Sequence, residues 1–288
     1  MKYDIKTYTV APDQCEKLFG TFDHVPTHCY KSEYLFHTFT NENNQEFLFK
    51  KCDSAKLIGE VVYSNLGKLL GINCAENSPA ILNDNGIRFP GISSKNFLAE
   101  GERFRAANSY FRQLSKIPHF HRYISDLGNL NLEKLISIFA KIFPHNSEQI
   151  RHGLVENFLM HTIANTADVC DLHNIGFLLS PTSARTSPPH DFSPVPIYSH
   201  SAILKPRRVH QKNAKFLQSH CKETVTQILD NAATIRGQQN LIEICDVTPL
   251  APLMPCDYNI KDLSRYSEEI YKSINKNLDI VAESFAKN

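Results

Sequence analysis

Apolar residues gather in two short strand-like runs early in the chain. Residues 34–39 (Tyr34, Leu35, Phe36, His37, Thr38, Phe39) and 46–50 (Glu46, Phe47, Leu48, Phe49, Lys50) are aromatic and β-prone. They flank the polar run Asn41, Glu42, Asn43, Asn44, Gln45, so the pattern predicts a β-hairpin. The pattern then changes. Leu57, Val61, Val62, Leu66, Leu69 and Leu70 recur at helical spacing, which predicts a helix over Ser54–Leu70 stopped by Gly71. Two further strand-like runs, 78–82 and 87–92, surround a turn that contains Asn85-Gly86.

Beyond about residue 96 the predicted pattern is helical. The clearest helices are 131–143 and 150–162, followed by 213–221, 224–235 and 260–285. Two strand-like runs interrupt them, at 175–179 and 195–204. The Ser/Thr/Pro-rich stretch 180–189 is expected to be a mobile loop. The fold class expected is α+β, with a β-rich unit over 1–95 and a mainly helical unit over 96–288.

Composition narrows the class. The chain has 288 residues, 42% hydrophobic and 21% charged, with a net charge of +1. That balance is globular and gives no ground for a nucleic-acid or membrane surface. There is no run of about 18 apolar residues, and the start Met1, Lys2, Tyr3, Asp4 lacks the apolar core of a signal peptide. The eight cysteines stand singly, without a Cys-x-x-Cys pair, and read as reduced thiols in a cytoplasmic setting.

Candidate chemistry concentrates in one loop and one pair. Between the apolar run 154–163 and the strand-like run 175–179 lie Asp168, Asp171, His173 and Asn174. A carboxylate there can take or orient the proton of an incoming hydroxyl, and an Asn amide oxygen can ligate Mg²⁺. The alternative is a plain helix-to-strand turn, for which Asn and Asp are equally suited. Lys50 ends a predicted strand, and Glu60 lies early in the next helix, where a carboxylate suits the positive dipole end. A strand lysine held extended by a helix glutamate can neutralise the phosphate oxygens of ATP.

In this order the motifs resemble the bacterial HipA-type toxin kinases, distant relatives of phosphoinositide kinases. The resemblance rests on residues 46–50, on 59–72, on Pro90 to Leu98, on Ala164, Asn165, Thr166, Ala167, Asp168 with Asn174, Ile175, Gly176, and on 195–201. It implies a two-lobed kinase-like fold and transfer of the γ-phosphate of ATP to a protein serine or threonine, with Mg²⁺. It implies Lys50 and Glu60 as the nucleotide-holding pair, Asp168 as the base with Asp171 as a second carboxylate, Asn174 and Asp191 as metal ligands, and a hinge near 91–97. A protein substrate and a small antitoxin protein are the implied partners. Both a self-directed toxin and an effector secreted into a host cell fit the family. Two positions depart from its pattern: Ala167 and Ser199 stand where the family carries aspartates. A pseudokinase acting through protein interaction is therefore the alternative, with an unrelated α+β domain behind it.

Other candidates have plainer readings. His119 and His121 at i, i+2 would face apart on a helix. Lys205, Arg207 and Arg208 read as a solvated turn, and Cys170 as a structural thiol.

Overall fold

The computed structural model describes residues 5–9, 36–40, 46–84, 87–107, 109–110, 132–164, 174–190, 192, 209, 211–254 and 260–286. A five-stranded sheet is built from β1 (Lys6–Thr9), β2 (Phe36–Thr40), β3 (Glu46–Lys51), β4 (Asn77–Asp84) and β5 (Ile87–Lys95), in the order β1-β4-β5-β3-β2. The β1–β4 pair is parallel, the others antiparallel. Both expected hairpins are present. Phe36 pairs with Lys50 and Thr40 with Glu46 in the first, and Asp84 with Ile87 in the second, across the two-residue connection that Asn85-Gly86 predicts.

Between β3 and β4 runs α1 (Ser54–Leu70), with the bounds its apolar spacing predicts. The Asp53 side chain accepts a hydrogen bond from the Lys56 backbone N–H at 2.8 Å and caps the start. Gly71 closes the end at φ 73°, a left-handed conformation that favours glycine. The acid at the helix start is thus Asp53. Glu60 lies beyond the first turn, so the helix dipole is not what fixes it.

A second sheet contains the strand expected at 175–179 and adds two short strands that the helical pattern past residue 96 did not show. Here β6 (Arg103–Ala106), β7 (Gly176–Leu179) and β8 (Ala184–Thr186) pair in that order, antiparallel throughout. The stretch expected as a mobile loop over 180–189 contains β8. Arg185 at its centre makes a two-armed ion pair with Glu102, Nε to Oε1 at 2.8 Å and a terminal nitrogen to Oε2 at 2.7 Å.

The helical part comprises α2 (Leu132–Ile142), α3 (Ser147–Ile163), α4 (Gln211–His220), α5 (Lys222–Ile235), α6 (Gln239–Cys245) and α7 (Ile260–Ala286). Short 3-10 turns lie at Pro144–Asn146 and Thr248–Leu253. Helix α1 belongs to both parts. It packs on β4 and β5 on one side and on α5 and α6 on the other. Its residues Leu57, Ile58, Val61, Val62, Leu66 and Leu70 are fully buried in one continuous core with α2, α3, α5 and α7. Asn231 of α5 donates to the Leu70 carbonyl at 2.9 Å, which ties down the C-terminal end of α1. The opposite face of the first sheet holds a small separate cluster of Phe49, Ala80 and Leu82.

Four free cysteines are found among the described residues, Cys52, Cys74, Cys221 and Cys245, all buried. Burial pushes the Cys52 and Cys245 thiols up to about 12, so neither is a thiolate at neutral pH. Among the described residues no helix is long and apolar enough to cross a membrane. The expected strand at 195–204, His119, His121, Cys170 and the basic turn 205–208 lie outside the described residues.

Gly91 is where β5 approaches β3 most closely. A Cβ at this position would lie 2.3 Å from the Lys50 carbonyl oxygen and 2.7 Å from the Phe49 ring. Gly91→Ala is expected to push β3 away and to cost about 1–3 kcal/mol. Urea unfolding of the variant beside the wild type measures it.

Candidate nucleotide site

Strand alternation decides which of the two adjacent lysines faces α1. Phe49 points into the small cluster on the far side of the sheet. Lys51 also turns to that side, its ammonium 5.0 Å from the centre of the Phe89 ring. Lys50 faces the other way, and its Nζ stands 3.6 Å from Glu60 Oε1. Lys56, one turn earlier in α1, reaches the same oxygen at 3.4 Å. Glu60 itself is 1% exposed.

A polar network fixes the rest of the carboxylate. Asn77 of β4 donates from Nδ2 to Glu60 Oε2 at 3.0 Å. Its amide oxygen accepts from the Ser94 hydroxyl at 2.6 Å, and its backbone N–H donates to the Ser64 hydroxyl oxygen at 3.1 Å. The Ser64 hydroxyl donates onward to the Ala75 carbonyl at 2.6 Å. Asn77 and Ser94 are opposite one another in the β4–β5 register, so the hairpin sets this network. Lys50 and Lys56 thus bring two ammonium groups to the Glu60 carboxylate.

The segment after β8 is brought against α1. The Ser187 N–H donates to the Gly176 carbonyl at 2.8 Å, continuing the β7–β8 pairing. The Ala75 N–H donates to the Pro189 carbonyl at 3.0 Å. Lys56 Nζ donates to the Phe192 carbonyl. The Phe192 ring is fully buried, 5.7 Å from the Tyr63 ring of α1 and 5.1 Å from the His161 ring of α3. Asn174, itself buried, precedes β7, and Phe192 follows β8, so the antiparallel pair carries both to one end of its ladder.

The connection from β5 to β6 is pinned beside this end. Phe97, Phe104 and His190 form a ring cluster with centroids 6.0 to 6.4 Å apart. The Phe97 carbonyl accepts from Arg185 at 3.0 Å. Of the expected hinge near 91–97, residues up to Lys95 belong to the central strand β5. Arg185 and an Ala99 N–H hold the Glu102 carboxyl below its ordinary value of 4.5.

Asp168, Asp171 and Asp191 lie outside the described residues. The flanks of the 165–173 loop are described. Asn277 of α7 donates to the Ile163 carbonyl at 2.9 Å, and the Ala107 N–H donates to the Ile175 carbonyl at 2.8 Å. Sequence reasoning picked out Lys50, Glu60 and Asn174 but not Lys56, Asn77, Ser94, Phe192 or Asn277. Only Lys56 had a local signal, its i, i+4 spacing to Glu60.

A small twisted sheet carrying a lysine, a helix carrying its glutamate, and a larger helical part define the two-lobed kinase fold. Among solved structures, the chain is similar to HipA of the Shewanella oneidensis MR-1 toxin–antitoxin system, determined with HipB and its operator DNA. The identity is 14%, the TM-score 0.53, and the match covers 92% of this chain and 68% of that one. The Helicobacter pylori proinflammatory kinase CtkA matches at 12% identity and TM-score 0.46, over 88% of this chain and 93% of that one. No protein-family model and no curated protein matches the sequence.

Glu60→Gln removes the carboxylate that both lysines approach, each 15–16% exposed. The expected cost is about 3 kcal/mol, read by urea unfolding. Lys50→Ala leaves Glu60 paired with Lys56 and is expected to cost about 1 kcal/mol or less.

The Glu102 carboxyl has a lower pKa folded than unfolded. Its contribution is full above about 4.5 and is lost as pH falls through the folded value. Thermal unfolding between about pH 3 and 7 should show an acid-side loss of stability that Arg185→Ala reduces.

Proposed function

We propose that this protein is an ATP- and Mg²⁺-dependent phosphotransferase acting on a protein serine or threonine hydroxyl. The observation that carries this reading is the ion pair between Lys50 and the buried Glu60. The fold likeness to HipA supports it. In this reading residues 1–95 form the nucleotide-holding lobe and 96–288 the catalytic lobe.

The donor chemistry fits the ligands. Lys50, held by Glu60, offers its ammonium to phosphate oxygens, with Lys56 beside it on the same carboxylate. Asn174 and Asp191 offer amide and carboxylate oxygens, the hard donors that Mg²⁺ takes. Bound Mg²⁺-ATP supplies the phosphoryl group and much of the charge neutralisation. Asp168 holds the substrate hydroxyl and takes its proton at the carboxylate, with Asp171 as the second carboxylate of the same loop. Exclusion of water falls to the buried Phe192 and the Phe97–Phe104–His190 cluster.

The substitutions Ala167 and Ser199 favour a second reading, a pseudokinase of the same fold that acts by binding another protein. In either case a small antitoxin-like protein is a candidate partner, by likeness to HipA, which was solved with HipB. The working location is the cytoplasm.

The test is incubation of the purified chain with Mg²⁺ and γ-labelled ATP. The wild type is expected to label itself or an added protein. Lys50→Ala and Asp168→Ala are expected to lower the rate by about 10²–10⁴. No label, with ATP raising the melting temperature, selects the pseudokinase. The absence of both label and thermal effect overturns the nucleotide reading. At a ligand concentration a hundred times Kd the thermal effect corresponds to about 2.7 kcal/mol.

A further inference from the structure

Lys56 does more than share a carboxylate. Its backbone N–H is fixed by the Asp53 cap at 2.8 Å, and its ammonium lies 3.4 Å from Glu60 Oε1. The same ammonium donates to the Phe192 carbonyl, 136 residues along the chain. Helix α1 therefore holds Phe192 at two points, the carbonyl through Lys56 and the ring through Tyr63. His161 of α3 closes the other side of that ring. Phe192 follows Asp191, the metal ligand of the kinase reading, directly in the sequence.

We infer that Lys56 is a positioning residue that links the phosphate-side ion pair to the metal-side segment, so that both adopt their working positions together. The metal half of this inference rests on the kinase reading. The physical reason is that one ammonium satisfies two acceptors on different elements. If α1 shifts, Glu60 and the Phe192 carbonyl lose the same donor at once. A lysine suits the role because its ammonium carries three donors on a flexible stem.

The test compares wild type, Lys56→Met and Lys56→Arg in the full chain. Met keeps the length and removes the charge. Arg keeps the charge and the donors. Two readouts are used. The first is amide hydrogen exchange without nucleotide, followed in the peptide spanning residues 187–193. The second is the Mg²⁺ concentration at which ATP half-maximally raises the melting temperature.

Lys56→Met is expected to speed exchange severalfold in that peptide and to raise the Mg²⁺ midpoint about tenfold, the usual scale for residues that orient a metal ligand. Lys56→Arg is expected to recover most of both. Wild-type values for Lys56→Met in both readouts overturn the inference. So does faster exchange across the whole chain that Lys56→Arg does not rescue, because that marks a general loss of stability. A wild type without any Mg²⁺-ATP effect overturns the kinase reading and the metal half with it. The exchange comparison then still decides whether Lys56 ties Phe192 to α1.

Discussion

The Glu60 carboxylate is the constraint on which the arrangement depends. A carboxylate that is 1% exposed is costly to bury unless its oxygens have partners. Here one oxygen meets two lysines and the other meets Asn77. Those partners come from β3, from α1 itself and from β4, so satisfying one charge aligns the helix with two strands of the sheet. The Ser64, Ser94 and Ala75 contacts extend the same requirement outward. The link through Lys56 carries it on to the segment after β8.

Much of the first sheet was legible because its signals are local. Two strand-like runs around an Asn-rich turn, a second pair around Asn85-Gly86, and the apolar spacing of α1 all lie within a few residues of one another. Of the second sheet only β7 was legible, as the apolar run 175–179. Strands β6 and β8 have four and three residues, too few to display a period. Their pairing depends on β7, about 70 residues past β6. Helix α6 was missed for a similar reason, having seven residues directly after Gly237.

The site divides in the same way. Lys50 and Glu60 could be picked from element order, a lysine ending a strand and a glutamate in the helix that follows. Asn77 and Ser94 could not, because only the hairpin register makes them neighbours. Phe192 had a name in the sequence, beside Asp191, but no sign that its ring would be buried between α1 and α3. Asp168, Asp171 and Asp191 lie outside the described residues, and their roles rest on sequence.

Helix α1 is tied at one end to the helical part, where Asn231 of α5 donates to the Leu70 carbonyl. A tilt of α1 about this contact can be scaled from helix geometry. Glu60 stands ten residues away, an arm of about 15 Å at 1.5 Å per residue. A swing of about 10° would carry the carboxylate through about 2.6 Å by that geometry. The Lys50–Glu60 separation is 3.6 Å, so a small rotation about this contact is enough to break the pair. A displacement on that scale would change how the Lys50 charge is compensated.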